Sequence, residues 1–346
     1  MFLGQKIFTL VKLGEEFKKM TSSEDLYNFT EYNNIFVHNP WFIREFVEYS
    51  LKQWSAQLNE QNLFNWLKKY NLPENPNTDK TLGIICAGNI PMVALHDIIC
   101  CYLTGTQSIV KMSSKDNILT KYVLEKLYEF DPQSATQISY TEEQLLGIDA
   151  IIATGNNTTN QYFDQYFGNK PHIFRQQKNS VAIISQNDQL NDFQRLADDV
   201  FLYFGLGCRN VSKIFVPKDF DFNELGKAFQ KYKNLSDHYK YHNNLTYQYA
   251  MLAMNQIVHI NFENLLLVEN QDINSPIGIL HYEYYDNKND VKNFLSENED
   301  KIQCVVSRDK TFENAIDFGN AQNPQLDNYA DNIDTINFLL KLQKCR

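Results

Sequence analysis

The chain has 346 residues, 43% of them hydrophobic and 14% aromatic, with 20 Tyr and 24 Phe against only 13 Gly and 9 Pro. That length predicts a large core and two domains, and that composition excludes wholesale disorder. A formal charge of −10 gives no general attraction to nucleic acid or an anionic membrane, so any site for a phosphate-bearing ligand has to be locally basic.

Residues 1–8 run straight into charged, helix-like sequence and lack the apolar length and cleavage site of a signal peptide. From 1 to about 70 the pattern is helical, with apolar residues three and four apart in 51–58 and 62–67. The turn formers of 71–77 close this region, which we read as an N-terminal helical extension.

Strand–helix alternation follows. Strands are expected at 81–86, 107–111, 137–140 and 150–154, and helices at 92–103, 116–130 and 158–167, with Gly105 ending the first helix. Short apolar strands separated by helices imply a parallel, doubly wound sheet of Rossmann type. Three loops, at 87–91, 112–116 and 155–158, then lie at the carboxyl ends of strands, where such sheets bind ligands. A second α/β region has strands at 180–185, 211–217, 264–268, 277–284 and 302–306. Its helices fall at 190–204, 221–233, 242–256, 288–297 and 310–318, and the tail from 320 starts irregular and ends as an amphipathic helix. The longest apolar stretch, 84–103, is interrupted by Asn89, His96 and Asp97, which argues against a membrane span.

Cys86, Cys100, Cys101, Cys208, Cys304 and Cys345 form no C-x-x-C pair and lie in apolar runs, the pattern of reduced thiols in the cytoplasm. Seven scattered histidines lack metal-ligand spacing, so no metal is expected.

One cysteine stands apart. In Phe204-Gly205-Leu206-Gly207-Cys208-Arg209-Asn210-Val211-Ser212-Lys213 a helix ends in two glycines and a strand begins. Glycines there permit positive φ, and a thiol on a tight turn flanked by Arg209 and Lys213 has the setting of a nucleophile. Taken singly, a buried corner cysteine explains the pattern as well. The same holds elsewhere. Asn89 either donates to an oxyanion or caps a helix; Lys111 with Ser113 either meets a ribose or phosphate or faces solvent. Thr154-Gly155-Asn156-Asn157-Thr158 opens a helix whose amides suit a pyrophosphate, or is a plain capping turn. Asp272 either bonds a ribose or makes a turn before Pro276, and His96 reads as a half-buried histidine bonded to backbone.

Jointly, Ala87-Gly88-Asn89-Ile90-Pro91, Ser108-Ile109-Val110-Lys111-Met112-Ser113-Ser114, the cysteine stretch, Ala321-Gln322-Asn323-Pro324 and Tyr329 to Thr335 resemble the aldehyde dehydrogenase superfamily. Within it they look like the bacterial acyl-CoA reductases of LuxC type. The resemblance implies an aldehyde-dehydrogenase-like α/β fold: a helical region 1–78, a nucleotide-binding domain 79–187, a catalytic α/β domain 188–318, and a tail 319–346 returning to the cofactor domain. It implies that Cys208 is the acylated nucleophile, with Asn89 and the Cys208 N–H as oxyanion donors. Lys111 and Ser113 would bind the adenine-side ribose, Thr154 and Gly155 would lie beside the pyrophosphate and nicotinamide, and Asp272 would hold the nicotinamide ribose.

Relatives that hydrolyse an acyl-enzyme carry a glutamate base where this chain has Phe174-Arg175-Gln176-Gln177-Lys178-Asn179-Ser180, which lacks a carboxylate. Without that base an acyl-cysteine survives to meet hydride or a thiol. Ser114, small and neutral beside Lys115, tolerates a 2′-phosphate and favours NADPH over NADH. The expected reaction is therefore reduction of an acyl-CoA, or of an acyl-protein thioester, to a fatty aldehyde, with CoA as leaving group. An oxidative CoA-acylating aldehyde dehydrogenase and a non-catalytic acyl-binding scaffold in a synthetase–reductase assembly are the alternatives. An acyl-carrying protein, an acyl-protein synthetase and further copies of the chain are the implied partners.

Overall fold

The computed structural model describes residues 3–22, 32–74, 76, 79–155 and 157–344. Asn156 of the expected turn, parts of the expected helical region and of the 71–77 turn, and Cys345 lie outside the described residues. The chain divides into two compact units, one made of Met1–Gln176 with Gln325–Arg346, the other of Gln177–Pro324.

The first unit opens with four helices, α1 (Leu3–Met20), α2 (Tyr32–His38), α3 (Arg44–Gln57) and α4 (Glu60–Leu67). There follow β1 (Thr81–Ile85), α5 (Leu95–Thr104), β2 (Gln107–Lys111), α6 (Asn117–Phe130), α7 (Ser134–Gln137), β3 (Ile138–Thr141), β4 (Ala150–Thr154), α8 (Asn157–Phe167) and β5 (His172–Arg175). The strands pair in the order β3-β2-β1-β4-β5, all parallel. Their side chains alternate between two apolar layers, as the period of a strand requires. Leu82, Ile84, Val110, Ala150 and Ile152 face the layer containing α1, α3, α5 and α6, while Ile85, Ile109, Ile151 and Ala153 meet Ile148 and Phe163 on the other side. Both faces are covered, which is why these strands read as continuous apolar runs.

A buried ion pair ties this unit together. Arg175, at the end of β5, donates to both oxygens of Asp97 on α5 at 2.5 and 2.6 Å, and to Thr335 Oγ1 at 3.2 Å. Thr335 begins the helix Thr335–Lys344, which packs on α5.

The second unit contains β6 (Asn179–Ile183), α9 (Leu190–Phe201), β7 (Val211–Pro217), α10 (Asn223–Phe229), α11 (Tyr239–Met254), β8 (His259–Asn261), β9 (Leu266–Glu269), β10 (Ile279–Tyr285), α12 (Lys288–Glu297) and β11 (Ile302–Val306). Its sheet runs β11-β6-β7-β10-β9-β8, parallel except for the β8–β9 pair. The Asp192 carboxylate accepts the Gln189 N–H at 3.1 Å and starts α9. That helix buries Phe193, Leu196, Val200 and Phe201.

Several expected elements differ. The helix expected from 92 begins at Leu95, because Met92 has φ 57°, outside the helical region. β5 was not expected at all. Residues 310–318 form no helix: the Ser307 N–H bonds to the Ile316 carbonyl, and Val306 bridges Ile316. Tertiary pairing there overrides an apolar spacing that looks helical. The expected helix 221–233 is split into α10 and a 3₁₀ segment, Gln230–Asp237; the strand expected at 264–268 is β9, and β8 before it was not expected.

Among the described residues, no helix is long and apolar enough to cross a membrane, and no cluster of three or more His, Cys, Asp or Glu is placed to hold a metal ion.

Candidate active site

Cys208 occupies the first corner of a turn between α9 and β7 and is half-buried. The helix ends abruptly: Tyr203, Phe204 and Gly205 take φ of 55°, 56° and 75° in succession. Glycine adopts this conformation freely, whereas each aromatic residue gives up roughly 1–2 kcal/mol. Burial of both rings offsets that; Phe204 packs 4.7 Å from the His238 ring and 5.6 Å from that of Tyr241. The positive φ that glycine permits at this junction is taken up at Gly205. Two buried aromatics, Tyr203 and Phe204, make the bend together with Gly205.

Asn210 holds the turn from inside and is 1% exposed. Its Oδ1 accepts the Gly207 N–H at 2.8 Å, and its own N–H donates to the Gly207 carbonyl at 3.0 Å. Its Nδ2 reaches the carbonyls of Asp199, Val200 and Leu202 at 3.1, 3.3 and 2.8 Å, supplying partners to the orphan acceptors at the end of α9. The Gly207–Cys208 peptide is trans and planar, so a carbonyl drawn inward to Asn210 sends the Cys208 N–H outward. A backbone donor beside the thiol, aimed away from the turn, is what an oxyanion needs.

On the next peptide, Ser180 Oγ donates to the Cys208 carbonyl at 3.1 Å and lies 2.9 Å from Cys304 Sγ. Burial pushes the Cys304 thiol up to about 11, with Arg209 opposing, so Cys304 is a protonated donor rather than a nucleophile. Of the two cations expected to flank Cys208, Lys213 is committed elsewhere. Its ammonium bonds Glu283 at 2.6 Å and the Asn270 carbonyl at 2.7 Å. Asp272 is exposed, in the connection between β9 and β10, and its N–H bonds Asn270 Oδ1 at 2.8 Å as a turn. The following residue, Ile273, accepts from Ser212 Oγ at 2.7 Å, which joins that loop to the strand leaving Cys208. The thiol thus lies at the amino edge of its sheet, where the carboxyl-end rule for open sheets would not look.

In the first unit the loops after β1 and β2 touch at the carboxyl edge. A Cβ on Gly88 would lie 2.5 Å from Ser113 Oγ and 2.7 Å from Lys115 Cβ. Asn39 Nδ2 donates to the Gly88 carbonyl at 3.1 Å, and the buried Asp116 carboxylate accepts the Met92 N–H at 2.7 Å. Burial holds the Asp116 pKa well above the usual carboxylate range. Asn89 is exposed between these anchors. Lys111 Nζ donates to the carbonyls of Glu142 and Glu143 at 2.9 and 3.1 Å, while Ser113 is half-buried and Ser114 exposed. Thr154 ends β4 and Gly155 follows it, two residues before the start of α8, and the Gly155 N–H bonds the Arg175 carbonyl at 3.4 Å. Lys111, Ser113, Ser114, Asn89, Thr154 and Gly155 therefore share one sheet edge, with glycine at both close approaches.

His96 Nε2 meets the Leu326 carbonyl at 2.8 Å, and the ring sits among Trp54, Trp66 and Tyr329. It is the backbone-bonded histidine expected. Sequence reasoning missed Asn210, Ser180, Asn39 and Asp116. For Asn210 a signal existed: an Asn just past a helix C-terminus is suited to cap it.

The family model described as Acyl-CoA reductase (LuxC) matches residues 63–317. No curated protein sequence matches the chain. Among solved structures, aldehyde dehydrogenase 21 from Physcomitrella patens, in complex with the reaction product succinate, is 12% identical, with 99% of this chain and 84% of that one covered and a TM-score of 0.71. Mycobacterium tuberculosis aldehyde dehydrogenase complexed with NAD+ is 14% identical over 90% of this chain and 74% of its own, TM-score 0.62. The NADP-dependent glyceraldehyde-3-phosphate dehydrogenase from Bacillus halodurans, complexed with NADP, is 12% identical over 90% and 75%, TM-score 0.62.

Proposed function

The chain belongs to the LuxC acyl-CoA reductase family, and on that premise we propose that it reduces an acyl thioester to a fatty aldehyde through an acyl group carried on Cys208. It is an oxidoreductase of the aldehyde and thioester class with the aldehyde dehydrogenase fold. The observation that carries the reading is the turn itself: a half-buried thiol whose two flanking peptides are tied down by Asn210 and Ser180.

In this reading the Cys208 thiolate attacks the thioester carbonyl, and the carbonyl oxygen gains the negative charge. The Cys208 N–H and the Asn89 amide are the assigned donors to that oxygen. CoA leaves as thiolate, giving acyl-Cys208. The crossover after Arg175 holds only Gln176, Gln177 and Lys178 before β6, with no carboxylate to activate water, which supports survival of the acyl-enzyme.

A nicotinamide cofactor fits the first unit's edge, where glycine permits close approach, Lys111 brings a cation and α8 begins two residues after Gly155. Structural neighbours complexed with NAD+ or NADP support that class of cofactor. When bound it supplies hydride to the acyl carbon. Lys111 and Ser113 are assigned to its adenine-side ribose, Thr154 and Gly155 to the pyrophosphate and nicotinamide, and Asp272 to the nicotinamide ribose. An exposed, neutral Ser114 next to Lys115 supports NADPH. An acyl-carrying protein or acyl-CoA as donor, an acyl-protein synthetase and self-association complete the proposal.

The test is mass spectrometry after incubation with acyl-CoA of graded length, from acetyl to palmitoyl, without reductant. An acyl adduct on the Cys208 peptide, lost in Cys208→Ser, is the expected result. No adduct and no CoA release at any length would overturn it.

A further inference from the structure

We propose that Asn210 is a positioning residue that aims the Cys208 N–H at the developing oxyanion, separately from exposing the thiol. The inference rests on Cys208 being the acylated nucleophile. Two peptide planes meet at Gly207, and Asn210 bonds each of them: Oδ1 takes the N–H of one at 2.8 Å, and the Asn210 N–H takes the carbonyl of the other at 3.0 Å. The second plane carries the Cys208 N–H.

Only asparagine's geometry meets every demand at this point. The amide oxygen faces a donor, and the amide nitrogen faces three carbonyls of the α9 terminus. Those carbonyls belong to a helix anchored by buried Phe193, Leu196 and Phe201. The aim of the turn is thereby referred to a rigid element, with no contact between Asn210 and substrate required. Ser180 fixes the next peptide through the Cys208 carbonyl. Removing the Asn210 side chain therefore frees the Leu206–Gly207 plane and the tether to the α9 terminus. The plane that bears the Cys208 N–H is then held by the Asn210 backbone N–H alone, while the far side of the thiol stays held.

The two reactions of the thiol separate these roles. Attack on a thioester passes through a tetrahedral oxyanion and expels CoA thiolate. Alkylation by iodoacetamide displaces iodide at a saturated carbon and builds no oxyanion. Asn210→Ala removes both sets of side-chain bonds; Asn210→Asp keeps the acceptor for Gly207 and removes the amide donors. Both are compared with Asn264→Ala, which removes a buried amide bonded to the Phe229 carbonyl in the same unit.

Single-turnover acylation by acyl-CoA is expected to fall by roughly 100-fold in Asn210→Ala, the size of losing one oxyanion donor. Iodoacetamide labelling of Cys208 should keep pace with the wild type, and Asn210→Asp should recover part of the acylation rate. Asn264→Ala should lower both rates little or equally. If acylation and alkylation fall together in both Asn210 variants, or neither falls, the positioning role is wrong. If the wild type itself forms no acyl-Cys208, it is the proposed function that fails.

Discussion

Lys213 and Glu283 form an ion pair of 2.6 Å in which the ammonium is fully buried and the carboxylate keeps 32% exposure. The ammonium also lies 5.1 and 5.2 Å from the centroids of the Phe215 and Phe294 rings. Burial lowers the Lys213 pKa from 10.5, with Glu283 opposing. Between its folded value and 10.5 the unfolded chain binds more protons, so stability contributed by this group rises with pH in that window. Glu283→Gln should destabilise the protein at pH 7 by roughly 2 kcal/mol, modest for a broken pair because the carboxylate is partly hydrated. The deficit should shrink towards pH 10. Urea unfolding at the two pH values checks both statements.

Asp199 is predicted to make the protein less stable as pH rises through neutrality. Burial raises its pKa from 3.8 to about 7, against the N–H groups of Gly319 and Ala321, which donate to it at 2.6 and 2.9 Å. Between those values the folded state binds the extra proton, so stability from this group is full below 3.8 and is lost as pH climbs to about 7. The loss is on the order of 4 kcal/mol at most. Asp199→Asn should flatten this part of the stability profile, measured by denaturant unfolding from pH 4 to 8; an unchanged slope would contradict it.

Thiol labelling should be ordered. Burial raises the pKa of Cys86, Cys100, Cys101 and Cys304, and Cys86, Cys100 and Cys101 are also less than a tenth exposed. With iodoacetamide at pH 8, peptide mapping should find Cys208 modified ahead of these four. Cys304 reacting first would contradict the assignment of its thiol as a hydrogen-bond donor.

Gly88→Ala should damage cofactor binding more than folding. Its new methyl would press on Ser113 Oγ at 2.5 Å and Lys115 Cβ at 2.7 Å, moving the loops proposed to meet the adenosine half of the cofactor. The dissociation constant for NADPH should rise roughly 10-fold, equivalent to about 1.4 kcal/mol, with the melting temperature nearly unchanged. Fluorescence titration of NADPH gives the answer.

Much of this architecture was readable because local pattern and tertiary role agree. The strands at 107–111, 150–154 and 302–306 fall where their apolar runs place them. β5 was invisible for a physical reason: its four residues include His172 and Arg175, and Arg175 becomes a buried strand residue only because Asp97 neutralises it across 78 positions. The left-handed Tyr203 and Phe204 were equally hidden, since nothing local favours them and only their buried rings offset the strain. At the site, residue types announced chemistry while partners did not. The composition Gly-Cys-Arg-Asn marked a turn, but Lys213 pairs with Glu283, seventy residues on.

The ion pair of Arg175 with Asp97 is completed by Thr335, and the core around it includes Leu326, Tyr329, Ile336 and Leu339. One unit is thus spelled in two pieces separated by the whole of Gln177–Pro324. On the ribosome, the interrupting unit is finished while its neighbour still lacks the last strip of its interior. Maturation of the five-stranded parallel sheet has to wait for translation past Leu339, and a chain stalled before that point would expose α5 to whatever chaperones are at hand.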